Sequence, residues 1–136
     1  MRLAEAEAPH SAAAARVLHE LIGTTDREHL ACLFLDGSHR ITGVHIAAIG
    51  GQSVIQSIDH RGIFRAALAA CAQALVVSHN HPSGDPTPSP QDKQFTRHLV
   101  AVGQVVGIPV VDHVIVTRDP RRYHSMQLAG TMPASV

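Results

Sequence analysis

The chain has 136 residues, enough for one ordinary domain and too few for two. It is 45% hydrophobic and 16% charged, which excludes disordered and coiled-coil classes, and only 3% aromatic, so its core must come from Ala, Val, Leu and Ile. Eleven basic and eleven acidic residues cancel, which argues against duplex nucleic-acid binding by charge neutralisation, and eleven histidines stand out beside them.

Met1 to His10 carries Glu5 and Glu7 and no apolar stretch, so it reads as a frayed tail rather than a secretory signal. No apolar run approaches the roughly 20 residues that cross a bilayer, and the expected compartment is the cytoplasm. Ser11 is the expected cap of a helix over Ala12–Ile22, with Gly23 as its stop. His29 to Leu35 reads as a buried strand, turned by Asp36-Gly37-Ser38 into a second strand, Ile41–Ile49. Ser53–Ile58 is a further short strand. Asp59 caps a helix of about 13 residues whose Ile63, Phe64, Ala67, Leu68 and Cys71 share one side. Cys32 and Cys71 both lie in apolar runs and are read as reduced, buried thiols.

Ala74–Ser78 is a short apolar strand, followed by a Pro-rich loop from Asn80 to Ser89. Ser89 as N-cap and Pro90 at the first helical position open another helix, which Gly107 closes. Val110–Thr117 is a final strand, and the residues from Arg118 onward read as loop. The order implies one α/β domain with a mixed β-sheet flanked by helices.

The chemistry concentrates between His79 and Asp92. His79 and His81 are two apart at a strand end, so both imidazoles point the same way. Asp92 lies in the first turn of the next helix, and the loop between them can fold it back over the strand end. Two His and one carboxylate suit a tetrahedral Zn²⁺ with an open fourth position, the mark of a catalytic rather than a structural site. Each part alone has a plainer reading: a chance His pair, or a capping box from Ser89 to Asp92. It is the joint spacing, H-x-H-x7-S-x2-D, that is specific.

That spacing matches the JAMM signature of MPN-type metallopeptidases. The words His79-Asn80-His81-Pro82-Ser83-Gly84-Asp85, Asp92, Thr96-Arg97, Gly107-Ile108 and Asp112-His113-Val114-Ile115-Val116 closely resemble the bacterial RadC family, from about Thr25 to about Ser125. The resemblance implies a single MPN/JAB-like, cytidine-deaminase-like domain over 24–126, preceded by a tail and helix over 1–23 and followed by a tail over 127–136. It implies one Zn²⁺ per chain on His79, His81 and Asp92, Ser89 helping to stabilise an oxyanion, and an upstream glutamate as general base. Of the four glutamates, Glu28 stands where the family places that base. His113 matches a family word, and a place beside the ligands or in a hydrogen-bonded core are both open to it.

The resemblance also sets apart two features. Full-length RadC proteins carry an extra N-terminal helical domain, and this sequence resembles them only beyond it. Gly62 stands where the family usually has a glutamate, read as loss of a surface or partner contact. The implied activity is hydrolysis of a peptide or isopeptide bond in a peptide or protein substrate. The alternatives are a non-catalytic MPN binding module and a DNA-repair-associated protein. The zero net charge and scarcity of aromatics speak against the last. The edge of the hairpin offers a place where two chains could pair as a homodimer.

Overall fold

The computed structural model describes residues 10–50 and 60–133. Within them a helix α1 (His10–Leu18) runs into a π-helical turn, His19–Gly23, and the strands are β1 (Glu28–Leu35), β2 (Ile41–Gly50), β3 (Ala74–Asn80), β4 (Val110–Val116) and β5 (Tyr123–Ser125). Helices α2 (His60–Ala69) and α3 (Pro90–Val106) lie between β2 and β3 and between β3 and β4. The strands form one mixed sheet in the order β2-β1-β3-β4-β5. Strand β1 is antiparallel to β2 and β3, β3 is parallel to β4, and β4 is antiparallel to β5. The expected α/β architecture is therefore present. No helix among the described residues is long and apolar enough to cross a membrane.

Strand periodicity sorts the side chains into two cores. Leu30, Cys32 and Phe34 of β1 and Leu75 and Val77 of β3 pack with Ile63 and Phe64 of α2 and Phe95 and Leu99 of α3. Ala31, Leu33, Val76 and Val114 pack on the opposite face with Ala13, Leu18 and Ile22. Burying a side chain such as Leu99 contributes about 1.5–3 kcal/mol. The central strand β3 is buried throughout, which is why it opens as a continuous apolar run rather than an alternating one. Parity along β3 then places His79 on the α3 side and Asn80 on the other.

Several local expectations need correction. The helix already includes His10, so Ser11 lies inside it and is not its N-cap; its side chain is carried inward and buried. The expected α-helix to Ile22 widens into the π turn where Gly23 packs so closely that a Cβ would meet His19 Cδ2 at 2.6 Å and Thr117 O at 3.1 Å. Helix α2 stops at Ala69, earlier than expected. Cys71 adopts a left-handed conformation (φ 55°) after that end and is exposed, not buried, as is Leu68. Cys32 is buried as expected, which pushes its thiol up to about 12. The segment after Arg118 contains β5, a strand too short and polar to show periodicity. The expected strand Ser53–Ile58 and the Asp59 cap lie outside the described residues. At Gly62 a Cβ would meet nothing within 4 Å, so this position is open rather than packed.

The helix that matters for the site follows its sequence closely. Ser89 Oγ accepts from Asp92 N at 3.1 Å, and Asp92 Oδ2 accepts from Ser89 N at 2.8 Å, a complete capping box with Pro90 just inside it. Gly107 closes α3 in the left-handed region (φ 85°), where a glycine carries no Cβ penalty.

Candidate metal centre

Two strands and one helix N-terminus converge on a single point. His79 is the last residue of β3 but one, and His81 stays in line because its N–H donates to Val116 O at 2.9 Å. Their Nε2 atoms come within 2.8 Å of one another. The first turn of α3 brings Asp92 against the pair, with Oδ1 3.3 Å from His79 Nε2 and Oδ2 3.5 Å from His81 Nε2. Leu30 pairs with His79, so Glu28, two residues earlier on β1, comes alongside the strand end. One carboxylate oxygen of Glu28 and one nitrogen each of His79 and His81 lie within 4.8 Å of one another, a group that could hold a metal ion.

Hydrogen-bond partners assign the tautomers. The Thr96 hydroxyl has one proton, and Asp92 O, 2.8 Å away, can only accept it. Toward His113 Nδ1, at 2.5 Å, Thr96 Oγ1 must therefore accept, so that nitrogen carries the proton. Complete burial pushes the pKa of His113 well below its usual range, so the ring is neutral and its Nε2 is an acceptor. His79 Nδ1, 2.8 Å away, donates to it. His81 Nδ1 donates to Asp85 O at 2.8 Å. With both Nδ1 atoms engaged outward, both Nε2 atoms point into the same space beside a carboxylate. Protons held there bond to Asp92; with the protons gone, two lone pairs and the carboxylate form a donor set that fits a divalent metal whose His ligands are oriented through their other nitrogens.

The two carboxyl groups are driven apart. Burial pushes the Glu28 pKa up, only partly offset by the neighbouring His79 and His81. Asp92 is also penalised by burial, but hydrogen bonds with His79 and His81 outweigh it and hold the carboxyl far below its usual range. Burial works against charging His81 too, and its bonds to Asp92 and to Asp85 O win, raising its pKa. One carboxylate is therefore a firm anion and the other a better proton acceptor, a division of roles set by environment.

His79, His81, Asp92 and Glu28 are thus brought together, Ser89 stands at the helix start beside them, and His113 touches His79 directly. Ser89 serves as a cap and Asp92 serves both cap and His pair, so the capping and ligand readings of that Asp are compatible. Three further participants, Thr96, Asn80 and Asp85, stand in the family words without a role that the sequence assigns. Thr96 carries a weak signal, being one helical turn after Asp92 on the same face. Asn80 carries none beyond its place between the histidines. Asp85 acts through its backbone carbonyl, which no side-chain pattern reveals.

Residues 8–131 match the family model of the RadC-like JAB domain, reaching beyond Thr25 and Ser125 and taking in α1. A UPF0758 protein of Desulforudis audaxviator is 38% identical over 117 residues, 86% of this chain and 50% of the relative. Another from Enterococcus faecalis is 43% identical over 103 residues, 75% of this chain and 43% of the relative. One from Thermotoga maritima is 39% identical over 108 residues, 79% and 47% of the two chains. The chain therefore spans about half the length of the curated relatives it matches.

Proposed function

The chain belongs to the RadC-like JAB domain family, and from that premise we propose that it is a zinc-dependent hydrolase of peptide or isopeptide bonds. The observation that carries this reading is the pair of Nε2 atoms 2.8 Å apart, both turned inward by the hydrogen bonds of their outer nitrogens, with the Asp92 carboxylate beside them. His79, His81 and Asp92 would hold the ion. When bound, Zn²⁺ supplies Lewis acidity that polarises a carbonyl and lowers the pKa of water toward about 7.

The residues of the chain do the rest. Glu28 accepts the proton of the attacking water on a carboxylate oxygen and returns it to the leaving nitrogen; its raised proton affinity suits both transfers. Ser89 Oγ accepts the Asp92 N–H, which leaves its own proton to donate to the oxygen that gains charge. Asp92 remains anionic throughout. His113 and Thr96 keep His79 in the tautomer that binds through Nε2.

The test is Glu28→Gln. Turnover of a peptide found in an unbiased cleavage screen is expected to fall to a residual level, about 10²–10⁴-fold down, while zinc stays near one per chain. Turnover like that of the wild type would remove Glu28 from the chemistry, and absence of zinc from the wild type would remove the reading as a whole.

A further inference from the structure

Asn80 sits between the two histidines in sequence, faces the other side of the sheet, and is fully buried. Its Oδ1 accepts from His29 N–H at 2.6 Å. Its Nδ2 donates to Arg27 O and to Thr25 Oγ1, both at 3.0 Å. The Arg27 carbonyl belongs to the peptide group before Glu28, and the His29 N–H to the one after it. A single planar amide therefore grips both peptide groups of Glu28.

This grip appears where the regular ladder stops. The β1–β3 pairing runs from Leu35↔Ala74 to Leu30↔His79 and does not reach Glu28. On the other side Glu28 is paired only with Gly50, the last residue of β2. A residue at a strand end with one neighbouring strand would fray, and a carboxylate on a short side chain follows its backbone. Both donors of the Asn80 amide are used, and no apolar residue of the same size could replace them.

We propose that Asn80 is a positioning residue for Glu28: it fixes the peptide groups on either side and so holds the carboxylate against the His79–His81 pair. Because Asn80 ends β3 between His79 and His81, the base and two ligands move as one body. The inference rests on the reading of Glu28 as proton acceptor, but its structural half can be tested without any reaction.

The experiment uses the full chain as wild type, Asn80→Ala, and Asn80→Asp, which keeps the acceptor toward His29 and removes both donors. In the metal-free protein, amide hydrogen exchange at His29 is expected to rise at least about tenfold in Asn80→Ala, while Val77 and Val114 stay protected as in the wild type. Unchanged exchange at His29 would overturn the proposal. With zinc bound and the peptide from the cleavage screen as substrate, kcat is expected to fall at least about 30-fold with KM within about twofold. In a Glu28→Gln background the same substitution is expected to have no further effect, because the group it positions is gone. Equal loss in both backgrounds would show a general structural role and contradict the proposal. Should Asn80→Ala fail to fold, Asn80→Asp carries the test: its loss of the bonds to Arg27 O and Thr25 Oγ1 is expected to lower kcat while the bond it keeps leaves His29 exchange near the wild type, and a wild-type kcat would contradict the proposal. A wild type that cleaves nothing counts against the hydrolase reading alone, and the exchange result then decides this one.

Discussion

His79 Nδ1 donates to His113 Nε2 at 2.8 Å, and the two rings meet at 62°. Behind His113 stands Thr96, which hands its own proton to the Asp92 carbonyl. The chain of bonds starts at one proposed ligand and ends on the backbone of another, so the strand and the helix are tied together by the network that also sets the tautomer of His79.

Loss of that outer support weakens metal binding without removing a ligand. His113→Ala is expected to reduce zinc affinity about 10–100-fold, the usual effect of removing the partner of a ligating histidine. Thr96→Val is expected to act in the same direction and Thr96→Ser to restore affinity, because the serine hydroxyl can repeat both bonds. Competition with a chromophoric chelator measures this, and wild-type affinity in His113→Ala would disconnect the network from the site.

The opposed carboxyl shifts give opposite pH dependences of stability. Glu28 has a folded pKa above its ordinary 4.5, so the folded protein holds its proton more tightly than the unfolded chain, and stability falls as pH rises from 4.5 through the raised value. Asp92 has a folded pKa below its ordinary 3.8, so its contribution is complete above 3.8 and is lost as pH falls toward the depressed value. Thermal unfolding of metal-free Glu28→Gln against wild type is expected to show no difference below pH 4.5 and a more stable variant at pH 7. A variant less stable at pH 7 would show that the Glu28 carboxylate is favourably held in the metal-free protein.

Ser89 has two separable roles. Ser89→Ala removes the cap of α3 and is expected to destabilise the protein by about 1 kcal/mol. Gly at the cap position costs only a few tenths of a kcal/mol, so Ser89→Gly is expected to keep most of that stability. Neither variant has a side-chain donor, and both are expected to lose about 10²-fold in kcat. Denaturant unfolding and turnover measured on the same samples separate the roles; full activity in Ser89→Gly would leave Ser89 as a cap alone.

The thiols differ as sharply as the carboxyls. Cys71 is exposed and is expected to react readily with an aromatic disulfide reagent in the native protein. Cys32 is buried with its thiol pushed up to about 12, and is expected to react only after unfolding. Titration of one thiol natively and two in denaturant checks this, and two fast thiols would mean that β1 opens readily.

Much of the site was legible because local rules wrote it. The period of two along a strand aligns His79 with His81, and a capping box plus Pro90 fixes the start of α3 and hence Asp92. Glu28 was legible only through the family resemblance, since nothing local links it to residues on β3. Asn80 and Thr96 act across the fold, on partners as distant in sequence as Thr25, 55 residues away, and no periodicity records such a bond. The misread burial of Cys71 has the same origin: helical spacing placed it inward, but the helix had already ended at Ala69. Short β5 owes its place to pairing with β4 rather than to its own composition.

The central claim is that two histidine lone pairs and one carboxylate are arranged for a metal cation. Elemental analysis of the full chain, purified without chelator, measures it directly. About one zinc per wild-type chain is expected, falling to background in His79→Ala and in Asp92→Ala while both variants remain folded. A wild-type chain, reconstituted with zinc and then dialysed, that holds no more metal than those variants would contradict the account.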